Sequence, residues 1–294
     1  MNPYFLEENF ENDFPYTDLA CERRRADTSI AGVDYKREMG ILGVWERIKI
    51  SSAEGARSIG RPMGIYDTLE LDRMDLLDSE SIEDAQDEIA RELCYLLDVA
   101  DVIPDRLLVV GLGNPHLTPD TVGTESARRV KPTMHIKEFD QKFFTSLDCS
   151  EIAVTTPGVA ATSGMDAFVT IRGICDTIEP DAVIVIDSLA ARAPERLGRT
   201  IQICNTGITP GSGLGNARVG LNHSTVGAPI IAIGVPTVID SRVFKCDAQN
   251  DESTSGEGHS AERMFVSPKE INDIVVSAGK IIGGGINQAF GIYS

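Results

Sequence analysis

The 294-residue sequence has little of what metal and nucleotide chemistries need. Its six cysteines (Cys21, Cys94, Cys149, Cys175, Cys204, Cys246) contain no CxxC pair. That argues against structural zinc and fits a reducing compartment. The four histidines (His116, His135, His223, His259) also lack metal-ligand spacing. Basic residues are scarce, 27 against 45 acids, and the net charge of −18 argues against a surface that grips nucleic acid or anionic membrane. No apolar run approaches the roughly 20 residues that span a bilayer. MNPYFLEENFENDF at the start has neither a basic leader nor an apolar stretch, so no secretory signal and a cytoplasmic location are expected.

Familiar glycine motifs are missing too. His116 stands where Gly111 and Gly113 would need a third glycine, and Asn216 does the same after Gly211 and Gly213. Neither loop is therefore a dinucleotide fingerprint, and there is no GK[ST] phosphate loop. Pro210 takes the first glycine position of a nucleophile elbow at Ser212. No cofactor and no metal are expected.

What is present reads as an α/β chain. Ala182–Ile186 is an apolar run too unbroken for a half-exposed strand, Arg106–Asn114 and Ala228–Val238 read as further buried runs, and Ile152–Thr156 and Thr200–Cys204 read as strands beside them. Such runs predict strands buried on both faces of a mostly parallel, doubly wound sheet with helices on either side. Gly40–Ile50 and Gly64–Leu71 predict two further strands. Ser81–Asp98 predicts a helix, with Ile82, Ala85, Ile89, Leu93 and Leu96 as its apolar stripe, Ser81 and Asp84 as a capping box, and its acids on a solvated face. Helices are also expected from Met165 to Ile178 and from Ser267 to about Ala278, where the GGG at 283–285 weakens any continuation. Residues 1–18 read as a loose tail, 19–294 as one domain, and Ser241–Arg263 as an exposed loop.

Two acids stand out. Thr118-Pro119-Asp120 predicts a helix start after one buried strand, and Asp187 closes the apolar run of another. Each has an ordinary role, Asp120 in a first helical turn and Asp187 capping the next turn. If their strands are neighbours, both acids face the crevice where open α/β sheets bind ligands. Close carboxylates tend to share a proton, one serving as base and the other as acid, which is how an aspartic peptidase activates water. Asn114, Asn205, Gly211, Ser212 and Gly213 are residues able to line that site. Other readings of the same stretch are a glycine-loop anion site, on a nonpeptidase enzyme or a binding protein, and a Cys204 nucleophile.

GLGNPHLTPDTVG (111–123), PGVAATSGMD (157–166), PDAVIVIDSLAAR (180–192), TIQICNTGITPGSGLGNAR (200–218) and STVGAPIIAIGVPTVID (224–240) resemble the germination protease family of spore-forming bacteria. The resemblance implies a fold like the hydrogenase maturation proteases and an endopeptidase that degrades small acid-soluble spore proteins during germination. It implies a homotetrameric zymogen in the spore core, without direct nucleic-acid or membrane partners. The family's catalytic aspartates fall here on Asp120 and Asp187. The family cuts its own pro-segment at Thr-acid-apolar-Ala-x-Glu. Thr17-Asp18-Leu19-Ala20-Cys21-Glu22 fits, with the cut expected between Asp18 and Leu19. Asn205, Ala160 and Ser163 depart from the family's motifs, and 241–263 is shorter than in its relatives.

Overall fold

The structure, a computed structural model, describes residues 17–23, 30–212, 218–243 and 264–292. Strands β1 (Val33–Met39), β2 (Val44–Ile50) and β3 (Gly64–Glu70) form an antiparallel meander, with helix α1 (Ala53–Ile59) between the last two. Helix α2 (Ser79–Val99) leads into β4 (Arg106–Gly111). Helices α3 (Val122–Ala127), α4 (Met134–Phe139) and α5 (Gln141–Leu147) precede β5 (Glu151–Thr155). Then come α6 (Ala160–Ser163), α7 (Ala167–Ile178), β6 (Ala182–Ala191) and β7 (Thr200–Cys204). Helix α8 (His223–Val226), β8 (Ile230–Asp240), β9 (Phe265–Val266) and α9 (Ile271–Ala289) complete the order.

The nine strands among the described residues join one sheet in the order β1-β2-β3-β7-β8-β6-β4-β5, with β9 on the far end of β8. It is a mixed sheet. The apolar runs build the parallel block β5-β4-β6-β8, while β7 and the meander attach antiparallel. The predicted parallel sheet is thus this block alone: Thr200–Cys204, expected within it, lies antiparallel between β8 and β3 and joins the block to an antiparallel wing built by the first quarter of the chain. Helices cover both faces. Ile89, Leu93 and Leu96 of α2 and Ile281, Ile282 and Ile286 of α9 pack on one, and Ile171 and Cys175 of α7 with Val226 of α8 pack on the other. Two-sided cover is what makes an unbroken apolar strand stable in water.

Several local expectations shift. Helix α2 begins at Ser79, and its cap is Asp78, which accepts from Ser81 N at 2.9 Å, so Ser81 lies inside the helix. Two of its acids are buried: Glu88 receives the Trp45 Nε1–H and Leu42 N–H, and Glu92 pairs with Arg47 at 2.9 Å. Burial beside Asp67 pushes the Glu92 carboxyl up to about 9. Helix α9 runs through the GGG to Ala289. A Cβ at Gly283 would lie 2.6 Å from Arg129 Cβ, and one at Gly285 would lie 2.8 Å from Ile89 Cβ. The missing side chains let α9 lie close on α2 and α3, and that packing outweighs the helix penalty of glycine, about 1 kcal/mol each. Thr17 is not part of a loose tail but is 3% exposed, while residues 1–16 and most of the expected 241–263 loop lie outside the described residues.

Candidate active site

Asp187 does not end its strand. Strand β8 is eleven residues long and keeps β6 paired through Ala191, four residues past the acid. Strand β4, however, stops at Gly111 opposite Ile186. From Asp187 onward β6 therefore keeps β8 on one side and loses its other neighbour. A strand with one vacated edge can still accept a chain there. Asp187 is 7% exposed, and its Oδ1 accepts the Ser188 N–H at 2.9 Å.

Asp120 reaches the same place from the turn after β4. Thr118–Asp120 forms a 3₁₀ turn and α3 starts only at Val122, so Asp120 precedes the helix instead of sitting in its first turn. Glycine makes the approach possible. At Gly113 (φ 107°) a Cβ would sit 1.9 Å from the Asp120 carbonyl oxygen, and at Gly123 one would sit 2.3 Å from the Ile186 oxygen. The Asn114 N–H donates to Asp120 Oδ2 at 2.9 Å, and Thr237 Oγ1 ties the turn to β8 through the Pro119 carbonyl at 2.7 Å. Asp120 and Asp187 line one cavity of about 370 Å³, walled largely by apolar groups such as Leu117, Val159 and Phe265.

The two carboxyls differ in environment. Burial, then the charge of Asp120 and the nearby Asp18, hold the Asp187 carboxyl well above the usual range against the pull of the Ser188 N–H. Burial also raises Asp120, opposed by the Asn114 N–H. The deeper acid, Asp187, is thus the one that keeps a proton most easily, and Asp120 is the better candidate for the ionised partner.

A third acid completes the cavity wall: Asp18. Residues 17–22 lie against the end of β6 and run in its direction, Asp18 beside Ala190 and Glu22 beside Arg192 and Ala193, while Ala20 packs over Cys204 of β7 and Ala232 of β8. Asp18 N donates to Ala190 O at 2.9 Å, while Ala190 N donates to Asp18 Oδ2 at 2.9 Å. Ser212 Oγ donates to Asp18 Oδ1 at 2.7 Å, and Arg61 Nη2 stands 3.9 Å from the same oxygen. Leu19 is fully buried against Leu189 and Ala191. Gln202 brackets it, accepting the Ala20 N–H at 2.7 Å and donating to the Asp18 carbonyl at 3.1 Å. Glu22 then takes the Arg192 and Ala193 N–H groups, each at 2.8 Å, together with the Thr17 hydroxyl. Each residue that the Thr-acid-apolar-Ala-x-Glu pattern specifies is thus buried, hydrogen-bonded or both; Cys21, at the unspecified position, is half-buried.

The other expected lining residues divide. Gly211 lines the cavity of the two acids, and Ser212 binds Asp18. Asn114 contributes its backbone N–H, while its side chain accepts from His116 N at 3.0 Å. Asn205 Oδ1 accepts the Ile65 N–H at 2.9 Å, a joint between β7 and β3, and it is not among the residues lining that cavity. Gly213 lies outside the described residues. Cys204 is buried and burial pushes its thiol up, the reverse of what a nucleophilic thiolate needs. Among the described residues no group of three or more His, Cys, Asp or Glu is placed to hold a metal ion. Gln202 escaped the sequence reading because its partners lie 182 and 184 residues away. A lone polar residue in the apolar run TIQIC was the available signal.

Comparison with known proteins gives a consistent picture. The family model described as germination protease matches residues 16–250. A germination protease of Caldanaerobacter subterraneus subsp. tengcongensis is 34% identical, covering 93% of each chain. One from Clostridium perfringens is 33% identical over 93% of this chain and 94% of its own. The Bacillus subtilis germination protease is 36% identical over 79% of this chain and 65% of its own. Among solved structures, the [NiFe] hydrogenase maturation protease HycI from Thermococcus kodakarensis aligns with 65% of this chain and 99% of its own. Its TM-score of 0.34 and 17% identity make that a loose likeness.

Proposed function

The chain belongs to the germination protease family, and on that premise we propose that it is a self-processing endopeptidase of aspartic type. Its substrates on this reading are small acid-soluble spore proteins, cut in the spore core during germination. Asp120 and Asp187 hold the attacking water. The ionised carboxylate takes its proton as the oxygen bonds to the carbonyl carbon. The protonated carboxyl then gives its proton to the leaving nitrogen as the C–N bond breaks. The observation that carries the reading is the seat of Thr17–Glu22, which lines the same cavity as the two acids through Asp18. A precursor whose own cleavage motif fills the groove is held inactive until that bond is cut, which is the zymogen behaviour proposed here.

The acids of the cavity speak against an anion site, since an ionised Asp18 and Asp120 repel phosphate and Arg218 is the one basic residue among the described residues of its lining. The family's tetrameric assembly is carried as part of the proposal, as is the absence of direct nucleic-acid and membrane partners. The test is Asp120→Asn and Asp187→Asn in the full-length chain. Both should stay folded by circular dichroism, leave the Asp18–Leu19 bond intact by mass spectrometry, and fail to cut a purified acid-soluble spore protein. Normal cleavage by either variant sinks the carboxylate pair.

A further inference from the structure

Across the sheet, Asp187 and Gln202 both stand opposite Gly234 on the intervening strand β8. Cross-strand partners share a face, so the two side chains rise from the same side of the sheet, two strand spacings or about 10 Å apart. Gly234 contributes no side chain to the space between them, and Leu189 leans over it to floor the bound segment. Asp18 lines the cavity holding Asp120 and Asp187 and also a second cavity lined by Gln202. Asp18 thus stands between the cavity of the two acids and the Gln202 carboxamide, which already holds its carbonyl oxygen.

The orientation of that carboxamide is fixed by its partners. The Ala20 N–H requires an acceptor and so faces Oε1, and the Asp18 carbonyl requires a donor and so faces Nε2. We propose that Gln202 is a catalytic residue, whose Nε2–H stabilises the oxyanion formed on the Asp18 carbonyl when the Asp18–Leu19 bond is cut. This rests on the reading that Asp18–Leu19 is the scissile bond. As water bonds to the carbonyl carbon, the π pair moves onto the oxygen that Gln202 already touches. When the pair returns, the C–N bond breaks and Leu19 leaves as the amine, carrying the proton from the acid. Gln202 is 7% exposed, so its hydrogen bond acts where little water competes. Its second contact, to Ala20, holds the leaving side of the bond in line.

Gln202→Glu separates the two contacts. A carboxylate still accepts the Ala20 N–H but cannot donate to the Asp18 carbonyl. The rate of self-cleavage in Gln202→Glu should fall on the order of 10²- to 10³-fold, the range for loss of one oxyanion donor. The deficit should narrow as pH falls and the new carboxyl regains a proton to donate. In an Asp187→Asn background, which keeps the segment uncut, hydrogen exchange at the Ala20 amide should stay as slow as in the parent. Cleavage of Gln202→Glu at the parental rate and bond overturns the proposal, as does a deficit that is flat with pH. Loss of Ala20 protection overturns it too, by reducing Gln202 to positioning. A wild-type chain cut at another bond, or not cut, overturns the reading beneath it as well, and mass spectrometry tells these cases apart.

Discussion

Glu22→Ala tests whether the segment before β1 is bound as a substrate or merely packed. The Glu22 carboxylate accepts two backbone N–H groups at 2.8 Å, from Arg192 and Ala193, and the Thr17 hydroxyl. A hydrogen bond to a charged group contributes about 1.5–3 kcal/mol, but water recovers part of the loss once the N–H groups are uncovered. The net cost of the truncation is therefore about 2–3 kcal/mol, or roughly a 30- to 150-fold smaller docking constant. The tether complicates a simple rate assay, because an attached segment enjoys an effective concentration in the millimolar range and can remain docked despite that loss. Hydrogen exchange avoids the difficulty, since the opening free energy of a local segment is read directly from amide protection. In uncut Asp187→Asn chains, the Ala20 amide should lose protection by that factor on adding Glu22→Ala, while amides of central β8 stay unchanged. Glu22→Gln, which keeps one acceptor oxygen, should fall between. Ala20 protection within about threefold of the parent would show that the Glu22 contacts contribute little to docking, and the substrate-like account of the segment would fail.

Two further outcomes follow from the site's electrostatics and from one departure in its motifs. Asp187 has a raised carboxyl in the folded state and an ordinary one, about 3.9, when unfolded, so between those values the folded chain binds more protons and loses stability as pH rises, by at most about 1.4 kcal/mol per pH unit. Asp187→Asn carries no such loss and keeps an acceptor for Ser188 N. It should exceed the wild type in urea midpoint at neutral pH, with the gap closing toward about pH 4; a gap that widens toward acid would contradict the assignment. Asn205→Asp should leave self-cleavage within a few-fold of the parent. Either side chain offers an oxygen to Ile65 N–H, and Asn205 is not among the residues lining the cavity of the two acids. A large rate change would return Asn205 to the catalytic machinery.

The parallel block was legible because its strands are apolar on both faces, a pattern that local sequence carries unaided. Strand β7 was read to the residue from the β-branched Thr200, Ile201 and Ile203, but its antiparallel sense depends on its neighbours β3 and β8. Strand β1 was missed because it lies at the sheet's edge with six of its seven residues exposed, so it has no apolar alternation to read. The extension of β6 past Asp187 depends on the length of β8, and the passage of α9 through three glycines depends on what lies across from them. Neither is a local property. The site divides along the same line. Asp187 was visible as the acid closing an apolar run, and Asp120 as the acid of a Thr-Pro-Asp helix start after another buried strand. Gln202 and the seat of Thr17–Glu22 depend on register between segments more than 160 residues apart.

The seat of Thr17–Glu22 also sets how an activated molecule would differ from its precursor. Hydrolysis between Asp18 and Leu19 releases Thr17 and Asp18, but Leu19, Ala20 and Glu22 stay on the retained chain. Those three keep the buried side chain, the Ala20 contact to Gln202 and the Glu22 clamp, while the bonds to Ala190 and Ser212 belong to Asp18. The cut chain would thus keep half of its own product leashed in the groove. It would also carry a new ammonium at Leu19, charged below about pH 8, beside the acids that made it. Cutting is then an unlocking and not yet an opening. Full turnover on another protein waits until the leashed end swings out, which should register as a lag that lengthens with the affinity of residues 19–22.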